Sequence, residues 1–135
     1  MIDSLDNLLD NSEYHGTFHD ASLVKLHQNS DCTEFDFSLC VGDPDASTLD
    51  ERERRRSGVL TLYGIRSWKC DPPDAAPFDI GEWLTSDGAL TEVDSDAAKR
   101  FMNENRSSHF AFYLYFADTN RFLFVACDRL EFRWR

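Results

Sequence analysis

The sequence predicts an α+β domain built on a mainly antiparallel, strongly curved sheet of five to seven strands, a sandwich or partial barrel, with one or two short helices. Three observations predict it. Residues 33 to 41 alternate strictly, Phe35, Phe37, Leu39 and Val41 against Glu34, Asp36, Ser38 and Cys40, the period of a strand with one wet face. The runs GVLTLYGIRSWKC (58–70) and RFLFVAC (121–127) are apolar on both faces, so they need cover on two sides. Helical spacing is confined to two short stretches.

The elements follow in order. Ile2, Leu5, Leu8 and Leu9 fall at helical spacing with Asp3 and Ser4 as caps, which predicts a short helix docked on the core. Gly16 and Thr17 end it, and ASLVKLHQ after Asp20 reads as a strand. Asn29, Ser30 and Asp31 turn the chain into the alternating strand, making a hairpin. Residues 42 to 57 form a polar loop with a helical centre, where Glu51 and Arg55 stand four apart. In the 58–70 strand, Val59, Tyr63 and Ile65 are expected on one face and Leu60, Leu62 and Trp68 on the other. CDPPDAAP (70–77) stops it, because proline cannot donate to a ladder.

FDIGEWL (78–84) reads as a short strand or a single helical turn. SDAAKRFMNENR (95–106) is a helix with Ser95 or Asp96 at its N-cap. In HFAFYLYFA (109–117), Phe110, Phe112, Leu114 and Phe116 take one face, Tyr113 and Tyr115 the other, and DTN (118–120) turns the chain. The last run sets Leu130, Phe132 and Trp134 against Arg129, Glu131, Arg133 and Arg135. Asp128 marks a bend or bulge, and the ending reads as an edge strand with charge outward.

At 135 residues the chain is expected to be a single domain, 1–135. Residues 1 to 50 carry 11 acids against Lys25 alone, whereas the remaining 85 carry 14 acids and 13 bases. That imbalance repels nucleic acid and favours either solubility, as a solvated acidic surface, or a basic partner. ERERRR (51–56) interleaves acids among its arginines and reads as a solvated loop with local ion pairs. Cysteines 32, 40, 70 and 127 lack paired metal-ligand spacing and read as reduced, mostly buried thiols of a cytoplasmic protein. Neither a signal peptide nor a membrane-spanning run is visible.

The reactive-looking residues concentrate in YHGTFHDASLVKL (14–26). His15 and His19 share a side only about 13 Å apart along a strand, too far to share a metal ion. Adjacent strand residues point oppositely, so Asp20 is expected to orient His19 poorly and instead to accept backbone N–H groups at the start of the strand. His19 is expected partly buried. No catalytic residue, metal or cofactor is expected. The binding candidates are His19, Asp20, Arg66, Trp68, Tyr113 and Tyr115, with Arg66 and Trp68 on one face next to Gly64. The Tyr113–Tyr115 face is a candidate homodimer contact.

FHDASLVKL, FDFSLCV, GVLTLYGIRSW and the final hairpin FAFYLYFADTNRFLFVACDRLEFRW together resemble a class of small bacterial β-rich proteins with an F-H-D start to the first strand, some of which look like immunity proteins that bind and block a toxin. The resemblance covers residues 14 to 70 and 108 to 134 and implies no catalytic residues. The reading is a non-enzymatic protein-binding module, immunity-type, for a basic partner. The alternative is a small-ligand or hydrolytic domain using His19 and Asp20, with His109 or Arg66.

Overall fold

A computed structural model describes residues 5–9, 16–71, 83–89, 95–116 and 120–135, with the backbone alone for 83–89. The expectations placed on Ile2, His15 and residues 72 to 82 lie outside these. Six strands, β1 (Thr17–Gln28), β2 (Cys32–Cys40), β3 (Arg55–Asp71), β4 (Trp83–Ala89), β5 (Phe110–Phe116) and β6 (Arg121–Trp134), are joined with α1 (Leu49–Arg52) and α2 (Asp96–Glu104). All neighbouring strands are antiparallel, and the order β1–β2–β3–β6–β5–β4 closes into a barrel. Closure rests on two residue pairs, Ala21–Leu84 and Ser22–Trp83. The curved antiparallel sheet is thus as expected, but the balance is more β than α+β.

The barrel holds a phenylalanine-rich interior. Phe18, Phe35, Phe37, Phe112 and Phe116 are all buried with Leu60, Leu62, Leu114, Leu123 and Val125. Phe18 meets Phe37 and Phe132 edge-on at 5.7 and 5.6 Å, and Phe35 stacks on Phe37 at 5.8 Å. Each such ring contributes about 1.5–3 kcal/mol by burial. The N-terminal segment forms a single 3₁₀ turn, Leu5–Leu8, and Leu5 and Leu9 enter the same core.

The hairpin and its register follow from local chemistry. Asn29 Oδ1 accepts from the amides of Asp31 and Cys32, both at 2.9 Å, and this Asx turn sets the β1–β2 return. Along β2, Thr33, Phe35, Phe37 and Leu39 are buried and their neighbours are not. The β2–β3 connection is pinned by the Val41 amide on the Arg54 carbonyl at 2.8 Å. Gly42 packs so tightly there that a β-carbon would lie 2.0 Å from the Arg52 carbonyl oxygen. Helix α1 ends at Arg52, so the expected Glu51–Arg55 helical pair does not form.

In β3 the expected shared face of Leu60, Leu62 and Trp68 holds, and the placement of Ile65 opposite them fails. Ile65 packs on the same core as Leu60, Leu62 and Trp68, because the β3–β6 register shifts between Ile65 and Ser67 and Gly64 adopts a left-handed φ of 63°. A bulge there breaks the period of two. Strand β6 changes parity at the same level, as Leu123, Val125 and Cys127 face the core before Asp128, and Leu130, Phe132 and Trp134 after it. The bend expected at Asp128 is present. The expected edge is only half right. Residues 122 to 127 pair with both β3 and β5, whereas 129 to 134 pair with β3 alone because the seven-residue β5 ends first.

Helix α2 is capped by Ser95, whose Oγ accepts from the Ala98 amide at 3.1 Å. Ala98 and Phe101 cover the outer face of β5 and β6, meeting Ala111, Tyr113, Phe124 and Ala126. Of the doubly apolar runs, 121–127 is therefore lined on one side by the barrel interior and on the other by this helix, whose apolar cluster holds no described residue of β3. No described helix is long and apolar enough to cross a membrane.

Candidate binding site

The site is built by an irregularity in β1. Thr17 pairs with Cys40 and Ser22 with Ser38, so β1 spends three more residues than β2 over the same span and must bulge. Phe18 and Ala21 turn into the core, while His19 and Asp20 stay exposed. Asp20 takes φ 60°, a left-handed conformation in which Asp is among the most tolerated residues.

Two partners hold this bulge. Asp6, in the 3₁₀ turn, accepts from the Phe18 amide at 2.7 Å and from the Thr17 hydroxyl at 2.9 Å, and Thr17 Oγ1 accepts in turn from the His19 amide at 3.1 Å. The role expected of Asp20, accepting amides where the strand starts, thus belongs to Asp6. From the other side, Arg55 donates to Ser38 Oγ at 3.0 Å, to the Ser38 carbonyl and to the Asp20 carbonyl at 3.1 Å. Those groups lie 17 and 35 residues away in sequence, which no local reading could connect.

The result is a cleft of about 480 Å³ between the start of β1, the end of β2 and the α1–β3 turn, within the size range of small-ligand sites. His19 and Asp20 line one wall, Cys40 the floor side of β2, and Arg52, Glu53 and Arg55 the rim. The bulge also overturns the expected opposition of His19 and Asp20: His19 Nε2 lies 3.5 Å from Asp20 Oδ2, and their side chains are 66% and 62% exposed. His19 is therefore solvent-facing, where partial burial was expected. A second concavity of about 340 Å³ lies at the β1–β2 hairpin tip beside Gly64 and Ile65.

The other candidates go elsewhere. Arg66 is exposed and binds Asp128, Nε to Oδ1 at 2.7 Å. Trp68 turns inward and stacks on Phe35 at 5.8 Å, so the bulge separates the pair expected on one face. Tyr113 is buried beneath α2, and the Tyr115 hydroxyl bonds Asn120 at 2.7 Å. His109 and Arg66 do not line the cleft. Arg52, Arg54 and Arg55 are exposed, as expected of a solvated loop, but two arginines of the run also make specific contacts. Arg55 joins the bulge, and Arg56 donates to the Arg135 carbonyl at 3.1 Å and lies over Trp134.

Among the described residues no three His, Cys, Asp or Glu side chains are grouped to hold a metal ion. All four cysteines are free, Cys127 fully buried and the others half-buried, fewer buried than expected. Burial, reinforced by the Asp128 charge, pushes the Cys127 thiol up to about 12. Leu49, missed from sequence, stands 58% exposed on α1, three residues before the cleft-lining Arg52. Its signal was present, as a leucine within an otherwise polar, acidic loop. The chain matches no protein-family model, and comparison with curated proteins and with solved structures gives no match.

Proposed function

We propose that the protein is a non-enzymatic binding module of the cytosol, of immunity type, that docks a partner with a basic surface through the rim around this cleft. The observation that carries the reading is Leu49, a largely exposed leucine set in a stretch, 43 to 54, with five acids against two arginines. An apolar contact ringed by like charge is the arrangement that steers a cationic surface in and then excludes water from the contact. The barrel interior is filled with phenylalanine, so recognition belongs to the rim.

Not all of the acidic excess of the first 50 residues is open to a partner: Asp6 is spent on β1, and Asp36 is paired with Arg135 at 3.2 Å. The acids of 43 to 54 supply the steering charge beside Leu49. The test uses immobilised full-length protein and lysate of the native cell at low salt, comparing wild type with Leu49→Asp and with Asp45→Lys/Glu51→Lys. A partner retained by wild type, released by salt and lost from both variants is expected; identical retention on all three would remove the reading.

One observation favours a second reading, a small-ligand or hydrolytic domain: the bulge sets His19 and Asp20 3.5 Å apart over a cleft. Ester turnover abolished by His19→Ala in an intact fold would favour it.

A further inference from the structure

We infer that the cleft takes one cationic side chain, a guanidinium or an ammonium group, with the Asp20 carboxylate as its anchor. The inference rests on the docking reading above and names what the partner inserts. Formally the cleft is balanced, with two arginines and two acids on its walls. What decides is which groups already have hydrogen-bond partners. The Arg55 donors are directed to Ser38 Oγ and to the carbonyls of Ser38 and Asp20. Arg52 and Glu53 are successive residues of opposite charge along the lining. The Thr17 hydroxyl is donated to Asp6.

Asp20 is different. Its carbonyl is held by Arg55, but among the described residues its carboxylate has only His19 beside it, at 3.5 Å, beyond ordinary hydrogen-bond length. The backbone is fixed at φ 60° and clamped from two sides, so the carboxylate is presented rather than free to fold back. A cation reaching it forms charge-assisted hydrogen bonds with a pre-ordered acceptor. Residues held in sparsely populated backbone conformations gather at ligand clamps, and arginine is enriched among the side chains that dominate protein interfaces.

The probe is N-acetylarginine methylamide, titrated into the ¹⁵N-labelled full chain and followed by amide chemical shifts, with the lysine analogue and the neutral citrulline analogue in parallel arms. Saturable shifts at His19, Asp20 and Cys40 are expected with both cations and absent with citrulline. Asp20→Asn keeps a residue that tolerates positive φ and should weaken binding at least tenfold. Asp31→Asn, at the hairpin tip, should leave it unchanged. No saturable shift in wild type, equal shifts with citrulline, or undiminished binding in Asp20→Asn would overturn the inference. Leu49→Asp separates the two readings, since it should abolish partner capture and keep the arginine response. A partner captured without any arginine response removes only this inference. An arginine response without a partner removes the docking reading and leaves the site.

Discussion

The two halves of β6 show how one strand serves two environments. In the first half, Phe124 and Ala126 face outward and are buried under α2, with Phe122 beside them. In the second half the outward residues are Arg129, Glu131 and Arg133, all exposed. There Tyr63, across on β3, donates to Glu131 at 3.0 Å and lies under the Arg129 guanidinium at 4.0 Å. The Glu131 contact, more than burial, raises the Tyr63 hydroxyl above its ordinary value. The inward side is apolar from Leu123 onward. What changes along the strand is only the outer partner, a helix in one half and water in the other, and the sequence registers that change as Phe and Ala giving way to Arg and Glu.

The largest expected effect tests the covered half. Phe101 on α2 is buried and lies 5.7 Å from Phe124. Phe101→Ala should cost about 3–5 kcal/mol, the range for deleting a buried ring. The matched change on the bare half, Arg133→Ala, should stay within roughly 0.5 kcal/mol. Urea denaturation of both variants reads the contrast. Equal costs would mean that α2 does not seal the outer face.

The next effect lies at the junction. Gly64 has φ 63°, and a β-carbon there would meet Asp128 Oδ2 at 2.5 Å. Gly64→Ala should therefore destabilise by about 2 kcal/mol, part from the left-handed backbone and part from the collision. Gly64→Ala/Asp128→Ala should recover the second part alone. Recovery of the whole cost in the same denaturation experiment would show that the backbone conformation is not under constraint.

How much of this was legible follows from the range of each interaction. The alternation of β2 is set by a single wet face and reads directly from Phe35, Phe37 and Leu39. The Ser95 cap and the need for two-sided cover of β5 and β6 are likewise local patterns. The bulges are not. Gly64 is forced by Asp128, 64 positions later, and the Asp20 bulge is held by Arg55 and Asp6, so the parity of Arg66 with Trp68 and of His19 with Asp20 could not be read from neighbours. Barrel closure was hidden as well, because an aromatic inner face suits a sandwich equally and the closing register is carried, among the described residues, by the short pairing of Ala21 with Leu84 and Ser22 with Trp83.

The smallest expected effect asks whether the junction needs its ion pair. Arg66 is the extra residue of the β3 bulge, and its guanidinium reaches Asp128 at 2.7 Å, with side chains 54% and 41% exposed. At that exposure the pair is screened by water and salt and is expected to contribute about 0–1 kcal/mol. Arg66→Ala should thus lower stability by no more than that, with the difference shrinking as salt is raised. If Arg66→Ala instead costs as much as Gly64→Ala at every salt concentration, the ion pair holds the bulge and Gly64 merely permits it. The salt series thereby separates two causes for the parity change that turns an apolar outer wall into a charged one: a backbone that only glycine accommodates, and a side-chain pair that pulls the strand out of register.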